Sequence, residues 1–228
     1  MTLLIFDCDG VLVDSEVIAL DVLAQMLSEL GQPMTIVECR ERFMGKSASD
    51  VFAEAEDMLG RPIAQDISLR MKALLFKRLK RELKPVPDVG KVIARLPYEV
   101  CVASSSLPDR ISLSLAVTGL SPLFAGRVFS SADVRRGKPA PDLFLYAAAN
   151  VGVTPEDTIV IEDSLAGVTA AMRAGMGVIG FAGASHGDSA LTAGLKAAGA
   201  SEVLNKMVDL PEAIERLRAA SPSAPIHP

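Results

Sequence analysis

The sequence contains no tryptophan, and phenylalanine and tyrosine together make up only 4% of its 228 residues. Its formal net charge is −5 at neutral pH. Surfaces that bind nucleic acids need basic patches and aromatic rings on which bases stack. We therefore expect a protein that does not bind nucleic acid.

Long apolar runs are also missing, since no stretch approaches the ~18 residues that a membrane-spanning helix needs. The residues after Met1 include neither the basic region nor the cleavage site of a signal peptide. We therefore expect a cytoplasmic protein with no membrane association. Half of the residues are apolar, which is enough for a sizeable core.

Cysteine and histidine are scarce. The three cysteines, Cys8, Cys39 and Cys101, are widely spaced and match no zinc or redox motif, so reduced thiols are expected. Cys8 lies between two aspartates, which would disfavour the thiolate that a nucleophile requires. The two histidines, His186 and His227, exclude a histidine-rich metal site.

The most informative segment is the first strand and the acids that follow it. The apolar run from Leu3 to Phe6 precedes Asp7, Asp9 and Gly10. Residues two apart in an extended chain point the same way, so the two carboxylates can converge. At a separation of about 4 Å and an effective dielectric constant of about 20 they would repel by roughly 4 kcal/mol. Such a pair needs a cation, a shared proton or open water.

Hydrophobic periodicity predicts an α/β fold with a doubly wound, Rossmann-like parallel sheet. Strands are expected at 3–6, 100–103, 127–130, 158–161 and 177–180. Helices are expected from about 16 to Gly31, after the Thr35–Glu38 capping box, and at 49–59, 66–83, 89–96, 109–117, 141–150, 165–174 and 211–219.

The pattern also predicts two domains, because no strand signal appears between residue 15 and about residue 85. Residues 1–14 and 85–220 would form the α/β core, and 15–84 an inserted helical cap. The Ser/Pro/Ala-rich tail, residues 221–228, is expected to be disordered.

Polar groups follow three more of the predicted strands, and in a parallel sheet these strand ends share one edge. Ser104 and Ser105 follow one strand, Glu162 and Asp163 follow another, and Lys138 precedes a helix. Hydroxyl groups, helix N-termini and lysine bind phosphate, whereas carboxylates with water suit Mg²⁺. Each signal is weak alone, but together they predict a magnesium and phosphate site.

These motifs resemble those of a known family. The Asp7-x-Asp9-Gly10 segment, Ser104, Lys138 and the Glu162-Asp163 pair match the four motifs of the haloacid dehalogenase superfamily. The chain is similar to its β-phosphoglucomutase-like phosphatase branch, which has a helical cap after the first motif. The resemblance covers almost the whole chain and implies an Mg²⁺-dependent phosphohydrolase.

The resemblance also implies roles for individual residues. Asp7 would be the nucleophile and Asp9 the general acid and base. Ser104, Ser105 and Lys138 would hold the phosphate.

The implied metal ligands are Asp7, the main-chain carbonyl of Asp9, and Asp163. Glu162 would either bind the metal directly or support the residues that do.

The cap is expected to select the substrate, a small phosphorylated molecule. Gly45, Lys46 and Ser47 resemble the specificity loop of the family. The same three residues look like the end of a nucleotide-binding P-loop, but Arg40 stands where that motif needs glycine. The last cap helix is basic, and most of its cations are expected to form a solvated face: Arg70, Lys72, Lys77, Arg78, Lys80, Arg81 and Lys84.

Differences between this sequence and related enzymes reduce the number of activities that the resemblance allows. The β-phosphoglucomutases have a histidine early in the first cap helix, where this chain has Val17, Ile18, Ala19 and Leu20. Their loop arginine is absent near Ala48, and Lys46 is out of register with the Schiff-base lysine of phosphonatases, so both activities are disfavoured alternatives.

The resemblance is stronger to bacterial sugar-phosphate phosphatases, including those that act on 6-phosphogluconate. A catalytically silent binding module is the remaining alternative, and it would be supported by the loss of Asp7, Asp9 or Lys138. We expect a monomer, with a dimer as the alternative.

Overall fold

The computed structural model describes residues 1–43, 48–124 and 126–220. Its centre is a six-stranded sheet in the order β3-β2-β1-β4-β5-β6, with every pairing parallel. The strands are β1 (Leu3–Phe6), β2 (Glu99–Ser104), β3 (Val128–Ser130), β4 (Thr158–Glu162), β5 (Gly177–Phe181) and β6 (Glu202–Leu204). The prediction of a doubly wound parallel sheet is confirmed.

The N-terminal strand lies in the middle of this sheet. Phe6 of β1 is in register with Val102 of β2 on one side and with Ile161 of β4 on the other. All four residues of β1 are fully buried, as a continuous apolar run predicts. Asp7 therefore follows the central strand at the carboxyl edge, between the ends of β2 and β4.

The described residues form eleven α-helices around this sheet. They are α1 (Glu16–Glu29), α2 (Ile36–Phe43), α3 (Ala48–Leu59), α4 (Gln65–Glu82), α5 (Val89–Ile93), α6 (Pro108–Val117), α7 (Ser121–Phe124), α8 (Asp142–Val151), α9 (Leu165–Arg173), α10 (Ser189–Ala197) and α11 (Leu210–Ala220).

Strand alternation divides the core into two clusters. Leu4 and Phe6 point to the face that packs against α5, α6 and α11, whereas Leu3 and Ile5 point to the face covered by α8, α9 and α10. Helices therefore cover both faces of the sheet, as a doubly wound fold requires, and the edge strands β3 and β6 are partly exposed.

Four helices, α1 to α4, occupy the chain between β1 and α5. They share a separate apolar cluster that includes Leu23, Leu27, Cys39 and Phe43. The two chain segments that join them to the sheet run side by side, since the Asp14 amide donates to the Lys84 carbonyl over 3.0 Å. We call α1 to α4 the cap helices; the domain boundaries at 15–84 stay a prediction.

The structure differs from the predicted elements mainly where signals are short. Helix α5 ends at Ile93 rather than near Leu96. Helices α7 and α10 and the three-residue strand β6 were not predicted. Helix α7 has only four residues, too few to show a helical period. The capping box of α2 is present: Thr35 and Glu38 exchange main-chain and side-chain hydrogen bonds.

Three further predictions concern a membrane span, the specificity loop and the C-terminal tail. Across the described part of the chain, no helix combines the length and apolarity that crossing a bilayer would take. The specificity-loop residues Gly45, Lys46 and Ser47 and the tail 221–228 lie outside the described residues.

Candidate active site

A buried lysine organises the carboxyl edge of the sheet. The Lys138 ammonium donates to Asp7 Oδ1 over 2.5 Å, to Glu162 Oε1 over 2.5 Å and to the Ala103 carbonyl over 3.1 Å. Its side chain is only 3% exposed and lies over the ring of Phe144. All three ammonium donors are used, and the ends of β1, β2 and β4 are thereby joined.

Glu162, which accepts a hydrogen bond from Lys138, is itself fixed by its neighbours. Its second oxygen accepts hydrogen bonds from the amide and the hydroxyl of Ser164, each over 2.9 Å. A Cβ atom at Gly167 would come within 1.9 Å of Glu162 Oε1, so only glycine fits there. The sequence left open whether Glu162 binds the metal or supports the residues that do. Because both of its carboxylate oxygens have protein partners, the contacts favour the supporting role.

The protonation of this cluster follows from burial and charge. Burial alone would lower the pKa of Lys138, but the carboxylates of Asp7 and Glu162 outweigh it and raise that pKa. Burial raises the pKa of Asp7 well above its usual range, and the charges of Glu162 and Asp163 add to this effect against the opposing charge of Lys138. The charge of Lys138 therefore does not outweigh the combined effect of burial and the two neighbouring carboxylates on Asp7.

Asp9 belongs to a second polar cluster. It accepts hydrogen bonds from Ser15 over 2.5 Å, from Ser106 over 2.6 Å and from the Arg110 guanidinium over 2.8 Å. Ser15 directly precedes α1, Ser106 follows β2, and Arg110 lies in the first turns of α6. The cluster thus joins the start of the cap helices to the sheet.

Arg110 sets the charge state of Asp9. Burial favours the neutral acid, but the charge of Arg110 and the hydrogen bonds from Ser106 and Ser15 together lower the pKa of Asp9. The Arg110 Nε atom is buried and has no hydrogen-bond partner among the described residues. Asp9 is therefore ionised at neutral pH in this structure.

Asp163 pairs with a histidine from a different loop. His186 Nε2 lies 3.0 Å from Asp163 Oδ2, and the histidine side chain is 3% exposed. Gly10, with φ of +82°, makes room for this pair, since a Cβ there would come within 1.8 Å of Asp163 Oδ2. Burial raises the pKa of Asp163 to about 6, although the hydrogen bond from His186 opposes this shift.

A fifth acid, Glu16, faces the same region from the first turn of α1. Burial, followed by the charges of Asp9 and Asp163, raises its pKa to about 7. Arg110 and His186 act in the opposite direction. The start of the cap helices therefore contributes a carboxyl group that gains or loses its proton near neutrality.

The chemistry of the donors fits a hard divalent cation. Four carboxylates, Asp7, Asp9, Glu162 and Asp163, meet only two permanent cations, Lys138 and Arg110, in the contacts described above. Within the described ranges, no three histidine, cysteine, aspartate or glutamate side chains form a ready-made metal group. Mg²⁺, however, is usually held by one or two carboxylates, with water and substrate phosphate completing its shell.

The predicted phosphate ligands lie at the end of β2. Ser104 is buried, and its hydroxyl accepts a hydrogen bond from the Ser106 amide over 3.2 Å. Ser105 is exposed, and its carbonyl accepts from Ser131 over 2.8 Å. Neither hydroxyl contacts Lys138 in the hydrogen bonds described, so their joint use by a phosphate stays a prediction.

Cys8 takes no part in this site. Its side chain is buried in the apolar cluster with Leu4 and Phe6, on the face to which strand alternation turns it. Burial, with the charges of Asp9 and Asp7, raises the pKa of the Cys8 thiol well above its usual range. The structure thus agrees with the rejection of Cys8 as a nucleophile.

Sequence reasoning missed several residues of the site. They are Ser15, Glu16, Ser106, Arg110 and His186. Ser106 follows Ser104 and Ser105 after the end of β2, which was a usable signal, whereas Ser15 and Glu16 stand at the start of α1, six and seven residues after Asp9. Arg110 and His186 gave no signal, because each lies in its own helix turn or loop and meets its partner only in the folded chain.

Three kinds of similarity bear on this arrangement. The family described as haloacid dehalogenase-like hydrolase matches residues 4–181. The chain is 30% identical over 185 residues to 6-phosphogluconate phosphatase of Escherichia coli (strain K12), covering 79% of this chain and 82% of that protein. It is 33% identical over 183 residues to a Drosophila melanogaster protein named "Probable pseudouridine-5'-phosphatase", covering 77% and 79% respectively.

Solved structures show the same architecture. A haloacid dehalogenase-like protein from Agrobacterium tumefaciens str. C58 superposes with a TM-score of 0.85 at 40% identity, over 96% of this chain and 99% of that one. A hydrolase from Deinococcus radiodurans R1, solved with bound phosphate and sodium, gives a TM-score of 0.78 at 28% identity, over 98% and 99%.

The buried Arg110–Asp9 pair predicts a pH-dependent loss of stability. Arg110→Met leaves Asp9 buried without its cation, and breaking such a pair costs about 3–5 kcal/mol. Asp9 has a lowered folded-state pKa, so its stabilisation is present above the pKa of the unfolded chain and is lost as pH falls through the folded value. In the variant, burial without a cation should raise the pKa of Asp9, whereas Asp9 of the wild type stays ionised down to pH 4. The deficit of the variant should shrink as pH falls from 7 to 4, because its Asp9 takes up a proton over that range and loses the unpaired charge.

Urea unfolding at several pH values measures this deficit. Arg136→Met is the matched control, because Arg136 pairs with Asp142 at an exposed position and should change stability little. A deficit that is the same at pH 7 and pH 4 would show that Arg110 acts by packing rather than by charge.

Proposed function

The chain belongs to the haloacid dehalogenase-like hydrolase family and is a phosphoric monoester hydrolase that acts on small phosphorylated metabolites, and we propose that it works through Asp7 with the help of Mg²⁺. The observation that carries the proposal is the position of Asp7 after the central strand, hydrogen-bonded to a buried lysine. A carboxylate needs no base to become a nucleophile, only charge compensation that lets a phosphate dianion approach.

In the first proposed step an Asp7 oxygen attacks the phosphorus atom. The bond from phosphorus to the ester oxygen breaks as the aspartyl phosphate forms, and the leaving oxygen takes a proton from Asp9. Lys138 holds one oxygen of Asp7, so the other oxygen is available for attack. Water then attacks the aspartyl phosphate while Asp9 accepts its proton, which releases phosphate and restores Asp7.

The contacts of Asp9 suit the second step directly. Arg110 keeps Asp9 ionised, which is the state that a base needs. In the first step Asp9 must carry a proton. The negative charge of an approaching phosphate raises the pKa of Asp9, in opposition to Arg110, so the substrate itself promotes the acid form.

Mg²⁺ would supply the positive charge that Lys138 and Arg110 do not provide. Asp7 and Asp163 are the candidate side-chain ligands, with the main-chain carbonyl of Asp9 as a third. When bound, the ion would keep the carboxylates ionised and neutralise charge on the phosphate. A hydrolase that is 28% identical was solved with bound phosphate and sodium, which supports the binding of an anion and of a cation by this fold.

The proposed substrate class is a phosphorylated sugar or sugar acid, with 6-phosphogluconate as the first candidate. The similarity to 6-phosphogluconate phosphatase supports this choice. Several basic side chains of α4 are already engaged by acids: Lys72 pairs with Asp109, Arg70 with Glu29, and Arg78 with Asp21. Because these basic groups of α4 are already paired, Gly45, Lys46 and Ser47 stay the candidate substrate contacts that the sequence predicts.

Asp7→Asn should remove nearly all phosphatase activity while the fold persists, because the amide has almost the same shape but is a poor nucleophile. Turnover of p-nitrophenyl phosphate should fall by at least about a hundredfold. Mass spectrometry of the purified variant must exclude deamidation back to aspartate. Turnover above about a hundredth of the wild-type rate would remove Asp7 from the nucleophile role.

Chelation tests the metal. EDTA should abolish turnover and Mg²⁺ should restore it, because the carboxylates otherwise repel the phosphate. Ca²⁺ should inhibit, since its looser coordination would misplace Asp7. Asp163→Ala should need more Mg²⁺ for half-maximal rate, whereas Asp57→Ala, on the surface of α3, should not. Full activity in EDTA would contradict the metal assignment.

A phosphate-release screen tests the substrate class. 6-Phosphogluconate and sugar phosphates should outperform pseudouridine 5′-phosphate and other nucleotides. Lys46→Ala should raise KM for 6-phosphogluconate and leave p-nitrophenyl phosphate hydrolysis nearly unchanged, with exposed Lys80→Ala as the control. An equal effect on both substrates would assign Lys46 to the fold of the cap or to the phosphate, and a preference for nucleotides would refute the sugar proposal.

A further inference from the structure

The loop after β5 contacts three parts of the molecule at once. Its histidine, His186, holds Asp163 at the carboxyl edge. The hydroxyl and the amide of Ser185 in the same loop donate to Asp14, in the segment that leads into the cap helices. Asp188 caps helix α10 by accepting from the Leu191 amide over 2.7 Å.

A side chain of the cap helices donates hydrogen bonds to this loop. Arg40, on helix α2, donates through Nη2 to the His186 carbonyl over 2.5 Å and to Asp188 Oδ2 over 2.8 Å. The cap helices are thereby tied to the residue that holds Asp163. Neither contact is explained by the proposed chemistry, since the hydrogen bonds of Arg40 among the described residues reach the loop and not the catalytic carboxylates.

The loop that carries His186 is tightly packed and hydrogen-bonded. A Cβ atom at Gly187 would come within 1.8 Å of the Ala182 carbonyl, so the turn closes tightly on itself. The Gly187 amide donates to the Ala184 carbonyl over 2.9 Å, and the Ala182 amide to the Leu204 carbonyl over 2.8 Å. A displacement of the loop by Arg40 would therefore carry His186 with it.

We propose that Arg40 and His186 are positioning residues that couple the seating of the cap to the orientation of Asp163. His186 occupies Oδ2 of Asp163 and leaves Oδ1 for the cation, and Arg40 keeps His186 in place while the cap is seated. Hydrogen bonds that orient a ligating side chain typically change metal affinity by about 10–100-fold. The inference rests on the Mg²⁺ site proposed above.

The test is a calorimetric titration of Mg²⁺ into the substrate-free protein, which needs no activity. His186→Met removes the donor and should raise the Mg²⁺ dissociation constant about 10–100-fold. His186→Gln has a similar shape but keeps a donor amide, so it should restore at least part of the affinity. Equal losses in the two variants would overturn the assignment of His186.

The cap is tested with a matched pair of variants. Arg40→Met removes the contacts to the loop, and Lys72→Met removes a different link between cap and sheet, the 2.7 Å ion pair with Asp109. Arg40→Met should raise the Mg²⁺ dissociation constant at least about fivefold, the lower end of ordinary coupling between sites. Lys72→Met should leave it unchanged. Equal effects of the two variants would overturn the coupling.

A double variant shows whether the two residues act together. If Arg40 acts through His186, then Arg40→Met should add less than about twofold in the His186→Met background. If the two substitutions instead raise the Mg²⁺ dissociation constant independently, so that their effects multiply, Arg40 does not act through His186. Circular dichroism melting checks each fold, and if His186→Met fails to fold, the Arg40 and Lys72 variants still decide the question.

The outcomes also separate this inference from the metal site. A wild-type protein that binds Mg²⁺, with variants that bind it equally well, overturns the positioning role alone. A wild-type protein that takes up no Mg²⁺ overturns both.

Discussion

The ion pairs of Lys138 are the constraint on which the rest of the site depends. A lysine ammonium with a 3% exposed side chain keeps its charge only because Asp7 and Glu162 accept its hydrogen bonds. The neighbours of Glu162 keep this carboxylate in place. Ser164 donates to its second oxygen, and Gly167 leaves the space that the carboxylate fills. Asp7, the proposed nucleophile, is therefore fixed in position by the same contact that partly neutralises it.

Negative charge at this edge of the sheet is divided among three different partners. Lys138 serves Asp7, Arg110 serves Asp9, and His186 serves Asp163. Each partner comes from a different connection between strands, so the carboxylates meet only after the sheet has formed. These partners balance most, but not all, of the negative charge of the carboxylates. The remaining negative charge favours the binding of an added cation.

The sequence predicted the parts of the molecule whose signals are local. The apolar run of β1, the acids behind it, the capping box at Thr35 and the glycine that ends α1 are all patterns within a few residues, and the structure contains them. Partners that meet across the fold could not be predicted in this way. Arg110 lies 101 positions from Asp9 and His186 lies 23 from Asp163, and neither position has a local pattern that announces a charged contact. The three-residue strand β6 was not predicted, although β3, which has the same length, was.

The central place of β1 has a consequence for how the chain is made. This strand leaves the ribosome before its neighbours, because β2 and β4 are encoded about a hundred and about 160 residues later. At about 5–20 residues per second, the strand waits roughly 10–30 s for its second partner. The helices that follow it have a cluster built from nearby residues, so they can collapse while the nascent strand is still unpaired. The most buried strand of the enzyme is thus the one exposed longest during synthesis, and it is the segment for which shielding by a chaperone would matter most.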